Sequence, residues 1–125
     1  MALSFILADE FTADAERSLT LIAAHGAVVP GLWEFEVLNG LRSAERRGRM
    51  TEAGISSALH GLAGLRIETY RERLDGAQVL ALARRFELSA YDASYAWIAL
   101  ETHLPLATRD EQLGRAATQL GIARV

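Results

Sequence analysis

The sequence predicts an α/β fold with a mainly parallel sheet, and two observations carry that prediction. First, short β-like runs alternate with longer helix-like stretches along the 125-residue chain. Second, three of these runs follow a glycine-containing segment of the kind that ends a helix. The four runs are AVV (27–29), RIE (66–68), PLAT (105–108) and IARV (122–125).

The helix-like stretches are defined by apolar periodicity and by their end signals. Pro30 suits the first position of a helix, and Gly26 and Gly48 suit the position after a helix end. Thr51 and Ser89 suit N-caps, because their hydroxyls can accept a hydrogen bond from the first turn. The predicted helices are 14–25, 30–47, 51–65, 74–86, 90–101 and 111–120.

Composition limits the class of protein. Half of the residues are hydrophobic, which suits one globular domain over 1–125, and no apolar run approaches the ~18 residues of a membrane span. With no signal-like segment, we expect a soluble, cytoplasmic protein without a membrane partner. The absence of cysteine excludes disulfides and thiolate metal sites, and the absence of lysine excludes Schiff-base and P-loop chemistry. The net charge of −3 argues against a large basic surface, although a local basic rim or bound cations could still attract phosphate.

Ligands in an α/β protein bind near the carboxyl ends of the strands, where the following helices begin; two acidic residues are expected at that edge, and a third is a candidate on a helix face. Asp110 follows the PLAT run, Asp92 follows Ser89, and Glu36 lies on a polar stripe of its helix with Asn39. Each also has an ordinary explanation. The SAYD and TRDE segments fit helix caps, and Glu36 can simply face solvent.

Three motifs give the chain its resemblance to a known family. They read P-x-x-W-x-x-E-V-x-N within 28–51, and L-S-x-Y-D-A-x-Y and P-L-A-T-x-D within 81–113. Together with the closing AATQLGIARV, they resemble PIN-domain proteins of the VapC-type toxin ribonuclease family. The resemblance implies a PIN-like three-layer fold and a metal-dependent ribonuclease, the toxin of a toxin–antitoxin pair, that cuts structured RNA. It also implies a homodimer and a cognate antitoxin protein that covers the acidic site.

The resemblance also assigns roles to individual residues. Glu36, Asp92 and Asp110 match acidic positions that hold Mg²⁺ or Mn²⁺, and Asn39 and Thr108 match supporting polar positions. These ions prefer oxygen ligands, and an ion held by carboxylates can activate water and stabilise charge on a phosphodiester.

Other candidate groups carry weaker functional interpretations. The arginines of RSAERRGR would flank Glu36, so Arg46 and Arg47 are candidate RNA contacts, as is Arg109 beside the last acid; a solvated face is the more ordinary interpretation. The histidines have no paired metal-ligand spacing, and those that precede glycine, His25 and His60, suit helix ends. The candidate base-stacking aromatic residues, at helical spacings more typical of a core or an interface, are Trp33, Phe35, Tyr91, Tyr95 and Trp97.

The N-terminus departs from the family pattern. The family's first strand carries an acid in a strand-D-x-S motif, whereas this chain begins MALSFILADE, which resembles the helix after that strand. We therefore expect an N-terminally shortened chain that lacks the central strand and its acid, with Asp9 and Asp14 too late to replace it. Such a chain should close the gap by rearrangement or borrow a strand, and should have little ribonuclease activity. The alternative function is a catalytically impaired module that binds nucleic acid or protein.

Overall fold

A computed structural model describes residues 5–7 and 15–125 of the chain, and Asp9 and Asp14 lie outside the described residues. Four short strands and six helices form the described part. The strands are β1 (Phe5–Leu7), β2 (Ala27–Pro30), β3 (Ile67–Tyr70) and β4 (Leu106–Ala107). The helices are α1 (Ala15–His25), α2 (Trp33–Arg46), α3 (Glu52–Ala63), α4 (Gly76–Phe86), α5 (Ala90–Thr102) and α6 (Glu111–Gln119).

The strands form one parallel sheet in the order β3-β2-β1-β4. Crossovers that contain helices connect successive strands, as parallel pairing requires. The predicted α/β fold with a parallel sheet is confirmed. No helix in the described ranges is long and apolar enough to cross a bilayer.

The centre of the sheet differs from the sequence prediction. Strand β1 pairs with β2 on one side and with β4 on the other, and the Ile6 backbone N–H donates to the Pro105 carbonyl oxygen at 2.8 Å. The Ile6 side chain is fully buried. An empty central position would leave the backbone groups of both neighbouring strands without partners, and Phe-Ile-Leu is an apolar segment suited to a buried strand. The prediction that the central strand is missing is therefore wrong.

Two further elements have bounds that differ from the sequence prediction. Pro30 is the last residue of β2, paired with Tyr70, and does not open α2, because a proline without an N–H can end a strand. The predicted IARV strand is reduced to a parallel bridge between Leu106 and Arg124, since β4 itself has only two residues.

Alternating side chains place the sheet between two hydrophobic clusters. On β2, Val28 packs with the cluster built on α4, α5 and α6, whereas Ala27 and Val29 join the cluster built on α2 and α3. On β4, Leu106 and Ala107 divide in the same way, as the two-residue period of a strand requires. The result is the predicted three-layer arrangement. Helix α5 has seven consecutive buried residues, because it packs against the sheet on one side and against α4 and α6 on others.

Candidate functional site

Three acid-bearing helix starts lie at the carboxyl edge of the sheet. Strand β2 leads into α2, whose first turn contains Glu36, and β4 leads to Asp110, the N-cap of α6. Helix α5 runs back toward the start of β4, so its first turn, with Asp92, lies at the same edge. Parallel topology therefore directs the three sequence-predicted acids to one edge.

Asp92 lies in the first turn of α5. The Ser89 hydroxyl accepts a hydrogen bond from the Asp92 backbone N–H at 3.1 Å, which confirms Ser89 as the helix cap. Burial raises the pKa of the Asp92 carboxyl above its ordinary value, the negative charge of Asp110 raises it further, and a hydrogen bond with the Ser89 side chain opposes the shift. Asp92 and Asp110 are thus electrostatic neighbours, although 18 positions separate them in the sequence.

Asp110 has a structural role that is compatible with a functional one. Its Oδ1 accepts a hydrogen bond from the Leu113 backbone N–H at 2.8 Å, as an N-cap should. The hydroxyl of the buried Thr108 accepts from the Asp110 backbone N–H at 3.1 Å and fixes the turn before the helix. The Asp110 side chain is therefore held by its own helix while the residue remains exposed at the edge.

Glu36 is linked to α5 through a tyrosine. The Tyr95 hydroxyl donates to Glu36 Oε2 across a long contact of 3.4 Å, and the tyrosine itself is only 2% exposed. Tyr95 lies three residues after Asp92, on the same side of α5. The helical spacing of Tyr95 favoured a place in the core or an interface and did not predict this contact. The available signal was its spacing from Asp92 in YDASY.

The other predicted polar residues are distributed unevenly. Asn39 is exposed one turn after Glu36, and Arg109 is exposed beside Asp110. Helix α2 is continuous from Trp33 to Arg46, which places Arg46 roughly 15 Å from Glu36 along the helix axis. Arg46 and Arg47 therefore do not flank Glu36 as predicted, because they lie at the opposite end of its helix.

The aromatic residues fall into two groups. Trp33, Tyr95 and Trp97 are buried in the core, as the helical spacing favours. Phe35 and Tyr91 are 65% and 61% exposed, and each directly precedes one of the candidate acids.

His25 and His60 lie in the last turns of α1 and α3, which confirms their predicted helix-end positions.

The donor chemistry at the edge suits a hard divalent cation. The acids at this edge offer only carboxylate oxygens as ligands. The negative charge of Asp110 disfavours the ionised form of Asp92, which a bound cation would stabilise. No group of three or more histidine, cysteine, aspartate or glutamate side chains within 5–7 and 15–125 is spaced to hold a metal ion. The Asp92, Asp110 and Glu36 side chains are instead engaged by Ser89, Leu113 and Tyr95.

Comparison with known proteins places the chain in a family. The PIN domain family model matches residues 2–119. The chain belongs to the PIN domain family. PIN domains are generally nucleases that use divalent metals, so this PIN domain has a nuclease-type fold, and a fold of that type implies nucleic-acid binding.

A solved structure agrees with this fold. The crystal structure of PAE2754 from Pyrobaculum aerophilum matches the PIN domain with a TM-score of 0.70 and 24% sequence identity, covering 93% of this chain and 87% of that chain. At that identity the likeness shows the fold alone. No curated protein sequence matches the chain.

The raised pKa of Asp92 predicts a pH-dependent effect of Asp92→Asn. The charged carboxylate is less favourable in the folded state, so it lowers stability above the raised pKa, and this cost disappears as the pH falls through that value. Without metal, Asp92→Asn should raise the free energy of unfolding at neutral pH by about 0.5 kcal/mol, a small value because the pair is partly solvated.

Urea unfolding in EDTA, at neutral pH and near pH 4, measures this effect. The increase in the free energy of unfolding caused by Asp92→Asn should be smaller at the lower pH. It should also be smaller in an Asp110→Asn background, since the charge of Asp110 is the second cause of the shift. Equal gains under all of these conditions would contradict the electrostatic explanation.

Proposed function

We propose that this PIN domain is a metal-dependent endoribonuclease in which Glu36, Asp92 and Asp110 draw together around Mg²⁺ or Mn²⁺, because the three side chains as described are not spaced as a set of metal ligands. The observation that supports it best is the coupling of Asp92 and Asp110, carboxylates from separate helices that are kept close enough for one to raise the pKa of the other. Like charges held together destabilise the fold unless a cation or proton joins them, and such pairs are concentrated at functional sites.

The residues around the acids have positioning roles in this proposal. Ser89 and the Leu113 N–H orient Asp92 and Asp110, while the Tyr95 hydroxyl restrains Glu36 from α5. The bound ion would activate water and stabilise negative charge on the phosphodiester. In this proposal the exposed Asn39 amide, one turn after Glu36, would bind a phosphate oxygen or water.

The family motifs support a more specific role. Their resemblance to VapC-type toxins supports a cytoplasmic toxin that acts on structured RNA, forms a homodimer and is controlled by a cognate antitoxin. Exposed apolar side chains on α2 and α3, including Phe35, Leu38 and Leu59, supply a surface that a protein partner would cover. Nearby, Leu38 and Leu59 help to line a groove of about 360 Å³ between these helices.

The alternative of an impaired binding module depended on the absence of the first acid and of the central strand that carries it. Phe5–Leu7 fills the central position, so the strand is present, although Phe-Ile-Leu itself contains no acid. The three acids that the structure describes remain the basis of the proposed activity.

Cleavage of RNA tests the proposal directly. The 125-residue chain, incubated with labelled structured RNA and Mn²⁺, should give discrete products. EDTA should stop the reaction, and excess Mn²⁺ should restore it, because the carboxylates alone cannot activate the water. Intact RNA with both Mn²⁺ and Mg²⁺, at protein concentrations that bind the RNA, would contradict the nuclease proposal and favour the binding module.

A further inference from the structure

An arginine-lined pocket lies between the end of α4 and one side of α6. The pocket is open to solvent and has a volume of about 380 Å³. Its lining residues include three arginines and one glutamate: Arg84, Arg85, Arg115 and Glu87. In a chain with a net charge of −3, this is a local excess of positive charge that suits an anionic ligand.

The pocket adjoins the acidic edge of the sheet. The Gln112 side-chain amide donates to the carbonyl oxygens of Phe86 and Glu87 at 3.2 and 2.8 Å, which ties the first turn of α6 to the end of α4. Gln112 is two residues after Asp110, and Glu87 is two residues before Ser89, the cap of α5. The chain segments that form the pocket therefore continue directly into those that carry Asp92 and Asp110.

The three arginines keep hydrogen-bonding capacity for a ligand. The Arg85 guanidinium lies over the Phe86 ring, 4.7 Å from its centroid, and stacking occupies the face of the guanidinium while leaving its N–H edges available. Arg115 has a long 3.9 Å ion pair with Glu111, and both side chains are largely exposed, so the pair is weak. In the part of the chain that the structure describes, Arg84 and Arg85 form no ion pair.

Helix electrostatics explains only part of this arrangement. Arg84 and Arg85 lie in the last turn of α4, where cations stabilise the negative end of a helix dipole. Arg115 has no such effect on a helix dipole, because it lies in the middle of α6. It nonetheless lines the same pocket. A shared anionic ligand would account for all three positions, including that of Arg115, whose pair with Glu111 is long and exposed.

We propose that this pocket holds a backbone phosphate of the RNA strand whose scissile phosphate lies at the acidic edge. The inference rests on the proposed nuclease function. Arg115 is five residues from Asp110, roughly 7.5 Å along the axis of α6, so the pocket would serve a phosphate other than the scissile one. An arginine guanidinium can donate two parallel hydrogen bonds to two oxygens of one phosphate. A contact with the RNA backbone positions the strand without recognising its base sequence.

Equilibrium binding in EDTA tests the pocket without cleavage. The probe is a fluorescent single-stranded oligouridylate, and the main variant is Arg85→Gln combined with Arg115→Gln. We expect its affinity to fall about tenfold or more, because two charge-assisted contacts are lost. The slope of log affinity against log salt should become shallower by about 0.7 if one phosphate contact is lost. Glu87→Gln should have the opposite effect and tighten binding.

Two matched measurements isolate the pocket. Arg42→Gln removes an exposed arginine of α2 that pairs with Glu45 and lies outside the pocket, so it should leave RNA affinity nearly unchanged. Bis(p-nitrophenyl) phosphate is too small to reach both the pocket and the acidic edge, so its Mn²⁺-dependent hydrolysis should be unchanged in the pocket variant. Unfolding curves confirm that the variants are folded.

The outcomes separate this inference from the proposed function. Loss of RNA affinity in the pocket variant, even from a chain that cleaves nothing, would support the pocket as an RNA-phosphate site. Wild-type RNA affinity and salt dependence in the folded pocket variant would overturn it, even if the protein cleaves RNA. Loss of binding to poly-glutamate with unchanged RNA affinity would also overturn it, by showing that the pocket serves an acidic protein segment.

Discussion

Replacing Ile6 with alanine is expected to lower the free energy of unfolding by about 2–5 kcal/mol. The Ile6 side chain is fully buried on the central strand and packs in the cluster that includes α5, α6 and Leu106. The substitution removes buried methyl and methylene groups and leaves a cavity that the surrounding elements fill only in part. Urea unfolding monitored by circular dichroism measures the loss.

An exposed leucine supplies the control for this experiment. Leu80 on α4 is 46% exposed, and Leu80→Ala should change the free energy of unfolding by no more than about 0.5 kcal/mol. If Ile6→Ala were as mild as Leu80→Ala, Phe5–Leu7 would not be the central strand in solution. The original expectation of a sheet without its central strand would then stand.

Replacing Asp110 with asparagine is expected to slow Mn²⁺-dependent RNA cleavage by about 100-fold or more, while leaving stability almost unchanged. Asparagine caps helices as well as aspartate does, so the hydrogen bond from the Leu113 N–H should persist. The variant loses the charge that the proposed metal site requires. Single-turnover cleavage of labelled RNA measures the rate.

Asp75 offers a closely matched control, because it caps α4 by accepting a hydrogen bond from the Gln78 backbone N–H at 3.2 Å. Asp75→Asn makes the same chemical change at the same kind of helix position, outside the proposed site. Its cleavage rate should equal that of the wild type. A similar rate for both variants would mean that Asp110 is only a helix cap.

Local signals predicted most of the fold. Glycines at 26, 48 and 121 have positive φ angles of 72°, 70° and 75°, and each lies at or near the end of a predicted helix. Thr51 and Ser89 act as the predicted N-caps. These features depend on residues that are close together in the sequence, which is why a single sequence reveals them.

The central strand could not be recognised in the same way. Phe5–Leu7 is a run of three apolar residues, too short to distinguish a strand from a buried helix by periodicity. Its similarity to the family's first helix favoured the wrong assignment. What decides its conformation is pairing with Val28 and Leu106, two residues far along the chain.

The candidate site was only partly predictable for a related reason. Ser89, Asp92 and Asp110 each fit a helix cap, and the structure shows capping hydrogen bonds at both helix starts. Local sequence therefore explains these residues without a site. The contacts that argue for a site are nonlocal: Tyr95 reaches Glu36 across 59 positions, and Asp110 changes the pKa of Asp92 from another helix.

Thermal unfolding in the presence of Mn²⁺ tests the central claim most directly, because it examines metal binding by the acids without any assumption about the RNA. If Glu36, Asp92 and Asp110 hold the ion, Mn²⁺ should raise the Tm of the wild type progressively, since a ligand that binds the folded state stabilises it by mass action. The Asp92→Asn, Asp110→Asn double variant should show no such rise. An unchanged wild-type Tm in millimolar Mn²⁺, or an equal rise in the double variant, would contradict the proposed metal site.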